Sequence, residues 1–246
     1  MRPIVKEQIN GRTLPLIMAH KGGTAYGREN SLEAIRKALE IMPDVIIEVD
    51  VRKSRDGVLY CHHGSVPFGV AAAAFFGYLS FAQIQKLIGQ RDTLSAIFEA
   101  VPETAIVYLD IKDRSVTADD LKQVIGEHRR VWIAPLTTAR HLKELRSVLG
   151  EEYAYAYNRP VLFPRRMMRR LGGQTDFLQS FWWNWNKDIV AEIEGHGAVY
   201  HLCQWFISTP RYVTYLDRSR YRGLFFSIYD LAEARQLSAK SDSSQQ

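Results

Sequence analysis

Apolar runs and amphipathic stretches alternate along most of the chain. Leu14 to Ala19 is apolar and ends at His20. Ser31 to Ile41 places Leu32, Ile35, Ala38 and Leu39 on one helical stripe, with Asn30 read either as the N-cap or, with Glu29, as lining a site. Val45 to Val51 reads as a buried strand, and after the turn Arg55-Asp56-Gly57 a short strand follows from Val58 to His62. Helices are predicted over Phe81 to Ile88, Leu94 to Val101 (capped by Asp92 or Thr93), Ala118 to His128, Thr138 to Leu149, Lys187 to Gly195 and Pro210 to Leu216. Strands are predicted over Ala105 to Ile111, Val131 to Ala134, Tyr153 to Tyr157, Phe177 to Phe181, Val199 to Phe206 and Leu224 to Ile228. With the Val58 strand set aside as an accessory, eight core strands remain, the number a closed (β/α)8 barrel requires. The expected fold is therefore α/β: a single TIM barrel over residues 1–237, with a short apolar insertion after the second strand and a disordered polar tail over 238–246.

The strand Val45-Ile46-Ile47-Glu48-Val49-Asp50-Val51 carries two acids among β-branched residues. Alternation points Glu48 and Asp50 to the same face. Two carboxylates side by side on a buried face repel each other and lose hydration, so they need a shared proton or a cation between them. A hard divalent ion such as Mg²⁺ or Ca²⁺ meets that need with oxygen ligands. The plainer alternative is a strand end whose acids face solvent or pair with Arg52 and Lys53. Position weighs on the choice, because catalytic groups in such barrels sit at the carboxyl ends of the strands. His20, Glu48, Asp50, Asp110 and Lys112 all fall there, which favours an enzyme.

Charge and composition add limits. The formal charge of +5 suits anionic substrates or surfaces. No Lys/Arg block sits within a nucleic-acid module, so DNA or RNA binding is not expected. Cys61 and Cys203 lie in apolar runs and read as buried reduced thiols. Met1 to Asn10 carries charges without an apolar h-region, and no segment has the length and purity of a membrane span. The expected location is cytoplasmic.

Read together, His20-Lys21-Gly22-Gly23, Glu29-Asn30-Ser31, Glu48-Val49-Asp50, Asp56-Gly57 and His62-His63 resemble the glycerophosphodiester phosphodiesterase family. Thr93-Leu94, Leu109-Asp110-Ile111-Lys112 and Trp205 extend the resemblance over most of the chain. It implies a TIM barrel that hydrolyses glycerophosphodiesters or lysophospholipids to a glycerol phosphate-type product and an alcohol, with one divalent cation (Mg²⁺ or Ca²⁺) and two histidines. Glu48, Asp50 and Asp110 match the metal ligands, and His20 matches the first catalytic histidine. His63 matches the second by its distance past Asp56-Gly57, with His62 as competitor. Lys21, Lys112 and Trp205 match positions that contact phosphate or line the barrel mouth. The family pattern also implies that the substrate's own glycerol hydroxyl attacks first, giving a cyclic phosphate.

The chain departs from that pattern at Lys21, where the family has Arg, at Gly64, where it usually has Asp, and at Asp110, where it has Glu. The closing stretch Gly223 to Asp230 lacks the family's Thr-Asp turn. A His-Gly step and an Asp-x-Lys step are also similar to sphingomyelinase D and phospholipase D toxins, a lysophospholipase D-like alternative. Those are secreted and carry a disulfide near this region, whereas Cys61 has no neighbouring partner in the sequence. A glycoside hydrolase using Glu48 and Asp50 fits poorly, because adjacent same-face carboxylates do not bracket a sugar bond and paired histidines have no task there. A non-catalytic phosphate- or lipid-binding relic of the fold is the remaining alternative. Two stretches hint at lipid: the apolar Val66 to Leu79, read as a lid over the site, a lipid-touching surface or a core-packed helix, and Arg165-Arg166-Met167-Met168-Arg169-Arg170, whose commoner explanation is a solvated basic loop. They make a lysolipid substrate and peripheral membrane contact the expected partners beside a small-molecule phosphodiester.

Overall fold

The computed structural model describes residues 2–9, 16–64, 76–135, 138–181, 187–203, 225–228 and 231. The strands are β1 (Leu16–Ala19), β2 (Ile46–Lys53), β3 (Leu59–Cys61), β4 (Val107–Ile111), β5 (Val131–Pro135), β6 (Ala154–Val161), β7 (Phe177–Phe181), β8 (Val199–Cys203) and β9 (Phe225–Ile228). They hydrogen-bond in the order β1-β9-β8-β7-β6-β5-β4-β2-β3, and β1 also pairs with β2. Every pairing is parallel except β2 with β3. Eight parallel strands thus close into a ring, and β3 is an antiparallel accessory on the outer edge of β2, as the sequence pattern indicates.

The helices are α1 (Pro3–Ile9), α2 (Leu32–Ile41), α3 (Phe81–Ile88), α4 (Leu94–Ala100), α5 (Ala118–Ile125), α6 (Ala139–Leu149), α7 (Pro164–Leu171) and α8 (Lys187–Gly195). Side-chain hydroxyls start five of them. Ser31, Ser80, Thr93, Thr117 and Thr138 each accept from a backbone N–H in the first turn, with full capping boxes at Ser80–Gln83 and Thr117–Asp120. The cap of α2 is Ser31, not Asn30, so Asn30 is released for another task. The basic stretch 164–171 is a helix, α7, and not a loop. Pro164 occupies its first turn, while Pro164, Met168 and Leu171 form its buried stripe.

Two apolar layers follow from strand alternation. Ile47, Val49, Val51, Val107, Leu109 and Ile111 face outward and pack under the helices. Leu16, Met18, Ile46, Ile106, Tyr108, Trp132, Ala134, Ala154, Ala156, Phe177 and Val199 fill the interior, where Trp132 stacks on Phe177 at 4.1 Å. Val5, Ile4 and Ile9 of α1 join the interior cluster, closing the floor of the barrel. Polar ties fix α1 there: Trp132 Nε1 donates to Gln8 Oε1 at 2.7 Å, and Arg2 pairs with Asp176 at 2.5 Å. The sequence pattern did not reveal α1, because its charged residues hide an apolar stripe only seven residues long.

α1 thus covers the amino end of the strands, and the acids of β2 and β4 lie toward the opposite, carboxyl end. No helix among the described residues is long and apolar enough to cross a membrane. The segment 65–75, the helix expected at Pro210 to Leu216, Trp182, Trp183, Trp185, Trp205 and the tail 238–246 lie outside the described residues.

Candidate active site

Glu48 and Asp50 point into the barrel from β2, and both are buried. Asp110 is the register partner of Asp50 across the β2–β4 pair, which brings the third carboxylate alongside. Oxygens of Glu48, Asp50 and Asp110 lie within 4.8 Å of one another. Lys112, two residues past Asp110, turns its ammonium between the acids, at 2.8 Å from Asp50 Oδ1 and 2.5 Å from Asp110 Oδ2. The plainer sequence alternative is not what forms. Arg52 pairs with Asp113 and Lys53 with Asp120, away from the acidic cluster.

One lysine facing three buried carboxylates leaves more negative than positive charge when all three are ionised, which bears on the protonation of each group. Burial, then the charges of Asp50 and Asp110, push the Glu48 carboxyl well above the usual carboxylate range. Burial works against an ionised Asp50 too. There the ammonium of Lys112, His63 and hydrogen bonds from Lys112 and Asn30 outweigh it and hold the carboxyl low. Burial would discharge Lys112, but Asp110, Asp50 and Glu48 hold its pKa above the ordinary lysine value. Three convergent carboxylates with a charge deficit are a hard-oxygen donor set, and they fit a divalent cation.

Beside β2 stands the turn that ends β1, its hydrogen-bonded neighbour in the ring. His20, Lys21 and Gly22 form a tight kinked turn, in which Lys21 takes a left-handed backbone conformation (φ 51°). That conformation aims the Lys21 backbone N–H at the Glu48 carboxylate, to which it donates. Gly22 (φ +75°) lets the turn press on α2, since a Cβ there would come within 2.9 Å of Ile35 Cγ1. Lys21 Nζ reaches Glu29 at 3.0 Å. Asn30 is also left-handed (φ 58°), and its side chain brackets Asp50. Asn30 Nδ2 donates to Asp50 Oδ2 at 2.8 Å, and Asn30 Oδ1 accepts from the Asp50 backbone N–H at 2.8 Å.

The histidines complete the rim. His20 is held in the turn next to Asp50, Lys21, Lys112 and His63. Burial, opposed by Asp50 and reinforced by Lys21, pushes its pKa down to about 4. His62 and His63 follow β3, and the His62 backbone N–H donates to the Asp50 carbonyl at 3.0 Å. Their rings meet different neighbours. His62 accepts at Nδ1 from Arg91 Nε at 3.4 Å and lies edge-on to Phe76 at 5.9 Å. Burial and the charges of Arg91 and Arg52 push its pKa to about 4. His63, half-buried, is lowered by burial against the attraction of Asp50, with Lys21, Lys112 and Glu29 as its other charged neighbours.

Arg52 holds this loop from beneath. Its Nε donates to the His62 carbonyl at 3.1 Å, its Nη2 to the His63 carbonyl at 2.9 Å and its Nη1 to Asp113 Oδ1 at 2.8 Å. The structure thus brings His20, Lys21, Glu48, Asp50, His63, Asp110 and Lys112 to one end of the barrel, while Trp205 lies outside the described residues. Asn30, which the sequence offers both as a helix cap and as a residue lining the site, lines the site, and Arg52 is the site residue that the sequence offers only as a partner for the acids of β2. The signal for Asn30 was available: Ser31, next in sequence, is an equally good cap.

Comparison with known proteins accords with this arrangement. The model of the Glycerophosphoryl diester phosphodiesterase family matches residues 20–162, more than half of the chain. The chain belongs to this family. Family members are phosphoric diester hydrolases, and the chain is an enzyme of that class. No curated protein matches the sequence. Among solved structures, a glycerophosphodiester phosphodiesterase from Thermotoga maritima is 20% identical, with TM-score 0.70, over 92% of this chain and 99% of that one. A phosphodiesterase from Oleispira antarctica, solved in complex with the product sn-glycerol-3-phosphate, is 18% identical, with TM-score 0.71, over 92% and 97%. At such identities the likeness extends to the fold.

Proposed function

We propose that the chain hydrolyses small glycerophosphodiesters with one divalent cation held by Glu48, Asp50 and Asp110, and with His20 and His63 moving the protons. The observation that carries this reading is the charge deficit of the buried carboxylate cluster, lying between two histidine-bearing segments. Mg²⁺ and Ca²⁺ both suit the all-oxygen donor set, and such an ion would neutralise phosphate charge as a Lewis acid. The Oleispira antarctica enzyme holds sn-glycerol-3-phosphate, and we carry glycerophosphodiester over to this chain as the substrate class.

The chain's own residues supply the remaining chemistry. An attacking hydroxyl must lose a proton, the phosphorus–oxygen bond to the leaving alcohol must break, and that alkoxide must gain a proton. His20, whose pKa of about 4 leaves it neutral at pH 7, is suited to accept the first proton. His63 sits nearer solvent beside Asp50 and Glu29, whose charges favour its protonated form against burial, and we assign it the second proton transfer. Lys21 and Lys112 place positive charge where the phosphate oxygens would lie. His62 is engaged by Arg91 and Phe76, which supports His63 as the catalytic member of the pair.

The test is release of choline from glycerophosphocholine and from lysophosphatidylcholine, with Mg²⁺, with Ca²⁺ and with chelator. Cation-dependent release that His20→Ala and His63→Ala each lower by roughly a thousandfold supports the assignment. Wild-type turnover in either variant would remove that histidine from the mechanism. Cation binding without turnover of any phosphodiester would favour a binding relic of the fold.

A further inference from the structure

The carboxyl end of the barrel carries a feature that the catalytic cluster does not use. β6 ends at Val161, and the two residues that follow, Leu162 and Phe163, are 58% and 69% exposed. They lead directly into α7, whose sequence Pro-Arg-Arg-Met-Met-Arg-Arg-Leu exposes Arg165, Arg166, Arg169 and Arg170 and contains no acid. Arg165 pairs with Glu192 at 2.6 Å, whereas Arg166, Arg169 and Arg170 make no ion pair among the described residues.

Two parts of this arrangement work against the isolated fold. Leu162 and Phe163 keep apolar surface in water that a polar loop would not. Arg165 and Arg166 occupy the first turn of α7, where the helix dipole disfavours positive charge. An interface of fatty chains beneath anionic headgroups removes both costs at once. The apolar pair enters the acyl boundary while the long arginine stems reach headgroup phosphates.

We propose that the β6–α7 corner docks the barrel, mouth first, on an anionic lipid surface. Because α7 descends from the carboxyl end of β6, Leu162, Phe163, Arg165 and Arg166 lie at the rim, on the same end as Asp50 and Asp110. Arg169 and Arg170 lie about one turn, ~5 Å, lower on the outer wall. Tyr78, 72% exposed, is a further aromatic at this end, beside Leu79, whose carbonyl accepts from the Arg55 backbone N–H in the turn after β2. Docking here brings the site mouth toward the membrane, where phosphodiesters with a lipid tail reside.

The experiment is co-sedimentation of the full chain with vesicles of phosphatidylcholine alone and of phosphatidylcholine with phosphatidylglycerol. Retention is expected on the anionic vesicles only, weakened roughly tenfold or more by half-molar salt through screening. The pairs Leu162→Ser with Phe163→Ser, and Arg166→Glu with Arg169→Glu, should each lower retention about tenfold. Turnover of soluble glycerophosphocholine should stay unchanged in both. Equal retention on both vesicle types, no retention on either, or undiminished retention of the arginine pair would overturn the proposal. So would self-association without vesicles that the same substitutions abolish, which would make the corner a contact between copies. The vesicle readout needs no catalysis, so its failure is distinct from failure of the phosphodiesterase reading.

Discussion

The Arg52 guanidinium fills the space that a side chain on Gly64 would need. A Cβ at position 64 would lie 2.7 Å from Arg52 Nε and Nη2, and Gly64 itself has φ +78°. The loop that carries His62 and His63 is therefore wrapped onto Arg52, with the arginine gripping both histidine carbonyls and Asp113. This accounts for the glycine where the family pattern usually has aspartate: a side chain there and this arginine position exclude each other. Gly64→Ala adds a left-handed backbone cost of about 1–2 kcal/mol to the overlap. Its Tm should fall by about 2–8 °C, and kcat should fall at least about tenfold because His63 shifts. Wild-type values for both, measured by thermal denaturation and steady-state turnover, would show that the loop does not depend on this fit.

Arg52→Lys keeps the charge but not the planar fork that serves three acceptors in different directions. It should lower kcat about tenfold or more with little change in KM, the pattern expected when a group that acts during reaction is misplaced. A purely structural Arg52 would instead lower Tm and leave the turnover of the folded fraction intact.

Much of this arrangement is legible in the one-dimensional pattern. The alternation of β2 puts Glu48 and Asp50 on one face, and β4 ends in Asp110 and Lys112 at the matching height, so the acidic cluster follows from strand period and barrel register. Features that depend on backbone handedness or on contacts between distant segments are not legible. Asn30 reads as a helix cap because a cap and a carboxylate bracket need the same amide. Only its φ of 58° and the neighbouring Ser31 cap decide between them. Arg52 reads as a partner for nearby acids because sequence shows its neighbours in the chain, whereas its partners His62, His63 and Asp113 come from other segments. α7 hides because four arginines dilute a stripe of Pro164, Met168 and Leu171.

The bracket around Asp50 can be tested by charge. Asn30→Ala removes both hydrogen bonds, while Asn30→Asp keeps the acceptor for the Asp50 N–H, loses the donor to Asp50 Oδ2 and adds a fourth carboxylate to a cluster already short of positive charge. Chemical denaturation should show Asn30→Ala losing about 1–3 kcal/mol and Asn30→Asp losing more. A smaller loss for Asn30→Asp than for Asn30→Ala would mean that the cluster does not feel the added charge.

Cation addition should read the same deficit from the other side. A ligand bound only by the folded chain stabilises it by about 2.7 kcal/mol at a hundredfold excess over Kd. Mg²⁺ or Ca²⁺ should therefore raise the wild-type Tm by several degrees, chelator should reverse the rise, and Glu48→Gln should largely remove it. An unchanged Tm in millimolar concentrations of both ions would count against a cation site at Glu48, Asp50 and Asp110.

Acid should destabilise the fold through histidines that cannot take up a proton. His201 on β8 is buried, with its ring 6.3 Å from Tyr108. Burial, aided by the nearby His20, pushes its pKa down to about 3. His128, buried and bonded to the Ala105 carbonyl at 3.1 Å, is also lowered, with burial as the main cause. In the unfolded chain these rings titrate near 6.5, so as pH falls below that value the unfolded state binds protons that the native state refuses. The stability they contribute is present above pH 6.5 and, for His201, is lost progressively toward pH 3. Each such ring steepens the loss by up to about 1.4 kcal/mol per pH unit within its window. Denaturation between pH 7.5 and 4.5 should show stability declining, and His201→Gln should reduce the slope by close to one proton. An unaltered slope in that variant would place the proton uptake elsewhere in the chain.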